Sequence, residues 1–441
     1  MAEQMKPSGI DWIGEIPQGW NLKRIKYLST LKGRIGWQGL TADEYVDEGP
    51  FLITGTDFIN GTINWDTCVH ITEERWGEAP EIHIKNGDLL ITKDGTVGKV
   101  AIVSNLEGKA SLNSGVLLIR TFDGFDKRFL YWTLLSDEFW AWFKLKNAGN
   151  STIIHLYQND FAEFCYTFPN VIEQKAIADF LDEQCGRIDG IISDLEKQIE
   201  TLQKYKKSLI LETITKGLNK NAPMKSSGIN WIGDIPATWD IKRIKDVSKM
   251  QTGTTPPNNE GVNIDGDGVN WFTPGDFIDG SIELLNSEKF VNDETIQRES
   301  IKIYPKYSIL FVGIASIGKL GYFENACYSN QQITAIKTNN MENSKFIAYS
   351  LMASMDYTKS NALYTTVPII NNAYLGVIKI PFPKEKEQTE IVFYLDKKCL
   401  QIDEIVKGKK EQIEKIKQHK KSLIYEYVTG KKRVREATNG N

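Results

Sequence analysis

The chain has 441 residues, 41% hydrophobic and 25% charged, the balance of a soluble globular protein with room for two to four domains. No apolar run approaches the roughly 18 residues of a membrane span, and the opening MAEQMKPSGIDWIG has no basic segment followed by an apolar one, so no secretory signal is expected. Five scattered cysteines without a CxxC pair argue against a disulfide framework or zinc site and for a reducing cytoplasm, while a net charge of −4 argues against a chain that holds nucleic acid unaided.

In chain order, nearly every segment returns after roughly 215 to 220 residues. Residues 5–29, MKPSGIDWIGEIPQGWNLKRIKYLS, come back at 224–248 as MKSSGINWIGDIPATWDIKRIKDVS, with about two thirds of the positions identical. Next comes a middle region, about 30–168, with the β-branched runs DLLITK, VAIV and GVLLIR between Gly, Asn and Pro. It also holds the helical stretch FLYWTLLSDEFWAWF, so a β-rich domain with some helix is expected. Pro169 closes it. Beyond it about 45 residues hold no Pro and almost no Gly. There Leu181, Cys185, Ile188, Ile192, Leu195, Ile199 and Leu202 alternate spacings of four and three, the seam of a coiled coil.

The second copy follows the same order. Its middle region, about 249–383, has the runs SILFVG and QITAIK and closes at Pro381 and Pro383. EQTEIVFYLDKKC then answers EQKAIADFLDEQC, and Leu395, Cys399, Ile402, Val406, Ile413, Ile416 and Leu423 repeat the seam, with Lys409 interrupting it. At ~1.5 Å per residue each helix is roughly 60–65 Å long. The fold expected is α+β with a pseudo-twofold internal duplication: two β-rich domains separated by two long helices paired as an antiparallel coiled coil. The segments are 1–168, a first domain; 169–220, a first helix; 221–384, a second domain; 385–432, a second helix; and 433–441, a disordered basic tail.

The middle regions agree only in framework. Ile53-Thr-Gly-Thr-Asp-Phe-Ile-Asn-Gly61 answers Phe272-Thr-Pro-Gly-Asp-Phe-Ile-Asp-Gly280, Gly98-Lys99 answers Gly318-Lys319, and Ser151-Thr152 answers Thr365-Thr366. Enzymatic motifs are missing. Gly313-Ile-Ala-Ser-Ile-Gly318-Lys319-Leu320 nearly spells a P-loop, but Leu320 has no hydroxyl for Mg²⁺ and its counterpart begins with Lys93; a turn between strands accounts for it. There is no GxGxxG, no GxSxG, no [DN]PP[YF], and the four histidines show no metal-ligand spacing. The expectation is a non-catalytic binding protein. Two divergent domains on a rigid rod suit a reader of two short sequences separated by a spacer. The alternative is a protein-interaction scaffold of two β-rich modules on a coiled coil.

The phrases GIDWIGEIP and GINWIGDIP, ITGTDFINGTINW, GDLLITKDGTVGK, SNQQITAI, EQKAIADFLD and EQTEIVFYLD together resemble the DNA-sequence specificity subunit of type I restriction-modification systems, over essentially the full length. The resemblance implies that each middle region is a target recognition domain reading half of a bipartite DNA site, with the helices as a ruler for the spacer. It implies two copies of a modification subunit that carries S-adenosylmethionine and methylates adenine N6. A restriction subunit using ATP and Mg completes the implied nuclease, and no cofactor is implied in this chain itself.

Base edges are read by polar side chains and phosphates are held by cations and amides. The DNA-contacting candidates in the first domain are Arg34, Trp37, Gln38, Thr54, Thr56, Lys93, Thr96, Lys99, Asn113, Ser114 and Ser151. In the second they are Thr254, Thr255, Thr273, Ser316, Lys319, Asn330, Gln331, Gln332, Tyr364 and Thr365. Gln331 and Gln332 suit bidentate pairing with adenine, and Lys93, Lys99 and Lys319 suit phosphates. Trp12 and Trp231 are read as packing residues or contacts to the modification subunit. Lys204, Lys206, Lys207, Lys417, Lys420 and Lys421 are read as a solvated helix face or a spacer-backbone contact, and Lys431–Arg435 as weak electrostatic affinity.

Overall fold

Runs such as Leu89-Leu-Ile91 and Val116-Leu-Leu-Ile119 are apolar at every position instead of alternating, which fits strands covered on both faces. The computed structural model describes residues 4–34, 40–148, 155–256, 260–264, 266–338, 341–360 and 369–434. It separates into two units, residues 1–194 with 411–441, and residues 195–410.

In the first unit Ser29–Gly33, Val116–Thr121, Leu89–Thr92 and Val100–Ile102 form, in that order, a four-stranded antiparallel sheet. Its two faces carry separate cores. Leu89, Ile91, Leu117 and Ile119 face a core shared with the helices. Leu90, Val116 and Leu118 face a smaller core, over which Ala110–Leu112 pairs in parallel with Val46–Ile53, and that strand pairs antiparallel with Val69–His70. The second unit repeats the plan with Lys249–Thr252, Ile333–Lys337, Ser308–Val312 and Leu320–Phe323. Ile309, Phe311 and Ile336 turn to the helical core; Leu310, Val312, Ile333 and Ala335 turn to the small one. The expected duplication is thus present down to which residue points to which face.

The stretch FLYWTLLSDEFWAWF forms two helices, Lys127–Leu135 and Asp137–Lys146, because Ser136 ends one and caps the next by accepting from the Glu138 amide. The long helices span Val171–Lys216 and Glu385–Val428, and the division into units cuts through both. Each helix start is pinned to its own domain by a device that recurs. Asp182 accepts from Arg128 Nη1 at 2.9 Å and Trp132 Nε1 at 2.8 Å. Asp396 accepts from Lys345 Nζ and Tyr349 Oη, both at 2.8 Å. One turn of helix separates each cation from its aromatic donor, so both reach one carboxylate. Gln174 and Gln388, both buried, donate to Pro169 O and Pro383 O at 2.9 Å, stitching each helix to the proline that precedes it.

Within each unit the helix segments run antiparallel. In the first unit Lys420 donates to both oxygens of Asp189 at 2.7 Å; in the second Lys206 donates to both oxygens of Asp403, at 2.8 and 2.6 Å. These lysines therefore bridge the helix pair and do not form a face toward a nucleic-acid spacer. Lys409, on the stripe, reaches Gln198 Oε1 at 2.6 Å, so the interruption of the apolar seam is a polar cross-link. Of the seam residues, Leu181 belongs to the first helical core and Leu395 to the second. Ile199, Ile402, Val406 and Ile413 are buried, while Ile188, Ile192, Leu195, Leu202 and Ile416 are half-buried.

The segment after the second helix is a correction to the expected free tail. Lys431 Nζ donates to Ile13 O at 2.7 Å and Glu15 O at 2.8 Å, Lys432 pairs with Glu426, Arg433 with Glu173, and Val434 packs on the first helical core. Spent on carbonyls and carboxylates, these cations are not a loose electrostatic arm. Residues 435–441 lie outside the described residues. Trp12 packs against the first core and Trp231 against the second.

Candidate nucleic-acid interface

The candidates of the first unit come from three loops far apart in sequence, and main-chain bonds gather them. The turn between Leu89–Thr92 and Val100–Ile102 is closed by Thr92 N–H to Lys99 O at 2.9 Å. Lys93 N–H donates to Gly115 O at 2.8 Å, which brings Asn113 and Ser114 alongside. Asn113 N–H in turn donates to Ile53 O at 2.9 Å, which brings Thr54 and Thr56. Leu156 N–H donates to Lys93 O at 2.9 Å and adds the segment from residue 155.

The second unit reproduces these bonds with different residues. Gly313 N–H donates to Gln332 O at 2.9 Å, Asn330 N–H to Phe272 O at 3.1 Å, and Ile370 N–H to Gly313 O at 2.8 Å. The near-P-loop is therefore the turn between Ser308–Val312 and Leu320–Phe323. Its glycine is required by conformation and by space. Gly318 has φ +91° and a Cβ there would lie 2.6 Å from Met355 Sδ; Gly98 has φ +86° and would meet Trp140 Cη2 at 2.4 Å.

The facing loop is also built the same way twice. Asp57 accepts from the Thr54 amide at 2.7 Å and hydroxyl at 2.8 Å; Asp276 accepts from the Thr273 amide at 2.7 Å and hydroxyl at 2.9 Å. This Asx-type closure holds the loop without help from a ligand. Lys99 Nζ donates to Gly55 O at 3.1 Å, and Lys319 Nζ reaches Phe277 O at 3.4 Å with Asp279 at 3.7 Å. The turn lysines thus also tie turn to loop.

Side-chain exposure sorts the candidates. Thr56, Thr96, Thr254, Ser316 and Gln331 are exposed, and Thr54, Lys93, Lys99, Asn113, Ser114, Thr255, Thr273, Lys319 and Gln332 are half-buried at the same rim. Gln331 Oε1 accepts from the Thr255 hydroxyl. Two candidates are corrected. Arg34 is buried, donates to Leu112 O at 2.7 Å and Ser111 Oγ at 3.0 Å, and burial lowers its pKa; it pins the end of its strand to the parallel pair. Asn330 is buried too, with Nδ2 donating to Gln332 Oε1 at 3.0 Å, so it shapes the turn that carries Gln331. Trp37, Gln38, Ser151, Tyr364 and Thr365 lie outside the described residues.

Sequence reasoning missed Asp57 and Asp276, although the repeated Thr-x-x-Asp spacing signals them. It also missed His155, whose Nδ1 lies 2.6 Å from Asp94 Oδ1 at the rim. Among the described residues no cluster of His, Cys, Asp or Glu gathers as a metal site, and no helix is long and apolar enough to cross a membrane.

Comparison with known proteins finds the same duplication. The sequence pattern of the type I restriction modification DNA specificity domain matches residues 17–201 and again 236–415. The chain belongs to this family. The two matched stretches cover the two recognition-domain frames and most of each long helix. Among type I specificity relatives, the MjaVIII specificity subunit of Methanocaldococcus jannaschii is 24% identical over 450 residues, 95% of this chain and 94% of that one. A chain solved in work on complex assembly and conformational transition of the type I R-M system has a TM-score of 0.72 at 17% identity, covering 94% of this chain and 98% of its own. The HsdS subunit from Thermoanaerobacter tengcongensis has a TM-score of 0.50 at 17% identity, with coverage of 94% and 98%. At these identities the two structures speak for the fold.

Proposed function

We propose that this chain reads a bipartite sequence in double-stranded DNA, one half-site per unit, and directs partner subunits to it without doing covalent chemistry itself. One observation carries the reading. The same main-chain bonds hold the rim in both units, yet the side chains displayed on it differ, as needed for two different short sequences read by one scaffold.

In this reading the chain places two modification subunits, which bring S-adenosylmethionine, so that adenine N6 is methylated in each half-site. With a restriction subunit, ATP and Mg, the same address directs cleavage, and the assembly works in the cytoplasm. The long helices, shared by the two halves of the sequence, set the spacer. The net charge of −4 fits a chain that binds DNA weakly alone, the partners supplying the rest of the phosphate contacts.

Single-molecule sequencing of DNA from cells expressing the chain with its modification subunit tests this. A split motif with methylated adenine, absent when the gene is deleted, is expected. No change in methylation beside an active partner would overturn it.

A further inference from the structure

The rim holds one position where the two units keep the backbone and exchange the chemistry. In the first unit the residue after Lys93 is Asp94 and the residue before Leu156 is His155, side by side because Leu156 N–H donates to Lys93 O at 2.9 Å. Their side chains, 38% and 36% exposed, meet through Asp94 Oδ1 and His155 Nδ1 at 2.6 Å. In the second unit the same bond, Ile370 N–H to Gly313 O at 2.8 Å, sets Ile314 beside Ile369, and the two residues form an antiparallel bridge. Ile369 is left 41% exposed.

Neither pair serves the core. His155 and Ile369 belong to no buried cluster, and an isoleucine half in water beside a glycine-built turn gains little stability there. What they share is a place next to the turn lysines, on the rim with Thr56 and Thr96 or with Ser316 and Gln331.

We propose that this shared position reads one base pair in each half-site, His155 by a hydrogen bond through Nε2 and Ile369 by contact with a thymine methyl group. The inference rests on the bipartite DNA reading above. Asp94 accepts only, so in the neutral ring it holds the proton on Nδ1 and leaves Nε2 as an acceptor. An acceptor in the major groove pairs with the exocyclic amine of adenine or cytosine and rejects guanine O6 and thymine O4. Ile369 has no polar atom and an open face; the apolar feature of the groove is the thymine C5 methyl. Asp94 is a positioning residue, His155 and Ile369 the readers.

The test uses the full chain in complex with its modification subunit. In methylation-motif sequencing, His155→Ala relaxes one adenine or cytosine position in one half-site, with discrimination falling on the order of tenfold. Ile369→Ala relaxes one thymine position in the opposite half-site. Asp94→Asn, which frees the ring tautomer, changes selectivity at the His155 position only. A second measurement needs no variant to fold: in duplexes carrying uracil for thymine, the wild-type complex loses about fourfold in affinity at one thymine, the worth of one buried methyl. If no thymine-to-uracil change matters and His155→Ala keeps every base preference, the inference is overturned while the split motif stands. Both variants acting on the same half-site would also overturn it. A wild-type complex with no split motif removes the underlying reading and this inference with it.

Discussion

Removing Asp403 tests whether the helix pair is held by apolar packing alone or depends on a charge it has buried. The Lys206 side chain is 9% exposed and that of Asp403 50%. Asp403→Ala leaves an ammonium in the seam with water reachable on one side only. Breaking a fully buried pair costs about 3–5 kcal/mol and an exposed one ~0–1 kcal/mol. With one partner buried and the other half in water, about 2 kcal/mol is expected. Lys206→Met keeps the stem that packs along the seam and removes the charge, so it should stay within about 1 kcal/mol of wild type. For a unit of this size 1 kcal/mol moves the melting midpoint by roughly 2–4 °C. Asp403→Ala should therefore lower the midpoint by roughly 4–8 °C, Lys206→Met by less than about 4 °C, and the double variant should match Lys206→Met. Scanning calorimetry of the four proteins decides. Lys206→Met as costly as Asp403→Ala, or a double variant showing the sum, would refute the reasoning.

Asp182→Ala should destabilise the first unit by about 2 kcal/mol, since Trp132 Nε1 and Arg128 lose one shared acceptor; urea unfolding followed by tryptophan fluorescence measures it. Burial raises the Glu138 carboxyl to about 8 from an ordinary 4.5, with the Thr167 amide pulling the other way. The native state thus keeps a proton that the unfolded chain releases, and this contribution is full below pH 4.5 and lost as pH rises through about 8. Glu138→Gln should flatten that fall in stability across the window, which melting curves at stepped pH would reveal. Lys431→Ala should cost about 1–2 kcal/mol by stripping two carbonyls of their donor, with earlier proteolysis after residue 428 as the readout.

How much of this was legible beforehand depends on the range over which each signal acts. Strand and helix periodicity lies within one element, so the runs DLLIT and SILFV and the four-three spacing from Leu181 announced their elements. The candidate rim was half legible. Repeats such as Gly98-Lys99 and Gly318-Lys319 marked its turns, yet residue type alone placed Arg34 on DNA where its strand end needs it inside. An arginine's fork serves a buried carbonyl as readily as a phosphate, and only burial distinguishes the two.

The sequence by itself determined the duplication, the two long helices and the twofold use of one β-rich frame, because repetition and periodicity survive without coordinates. Tertiary structure alone decided that Asp182 and Asp396 are acceptors for a cation and an aromatic donor. It decided that Lys206 and Lys420 bridge helices, and that Tyr425 donates to Trp12 O across 413 residues of chain. It also set His155 against Asp94 and Ile369 against Ile314 on equal backbone. Such pairs join elements remote in sequence, and a charge or an imidazole has the same local pattern whether it meets water, a carboxylate or a base.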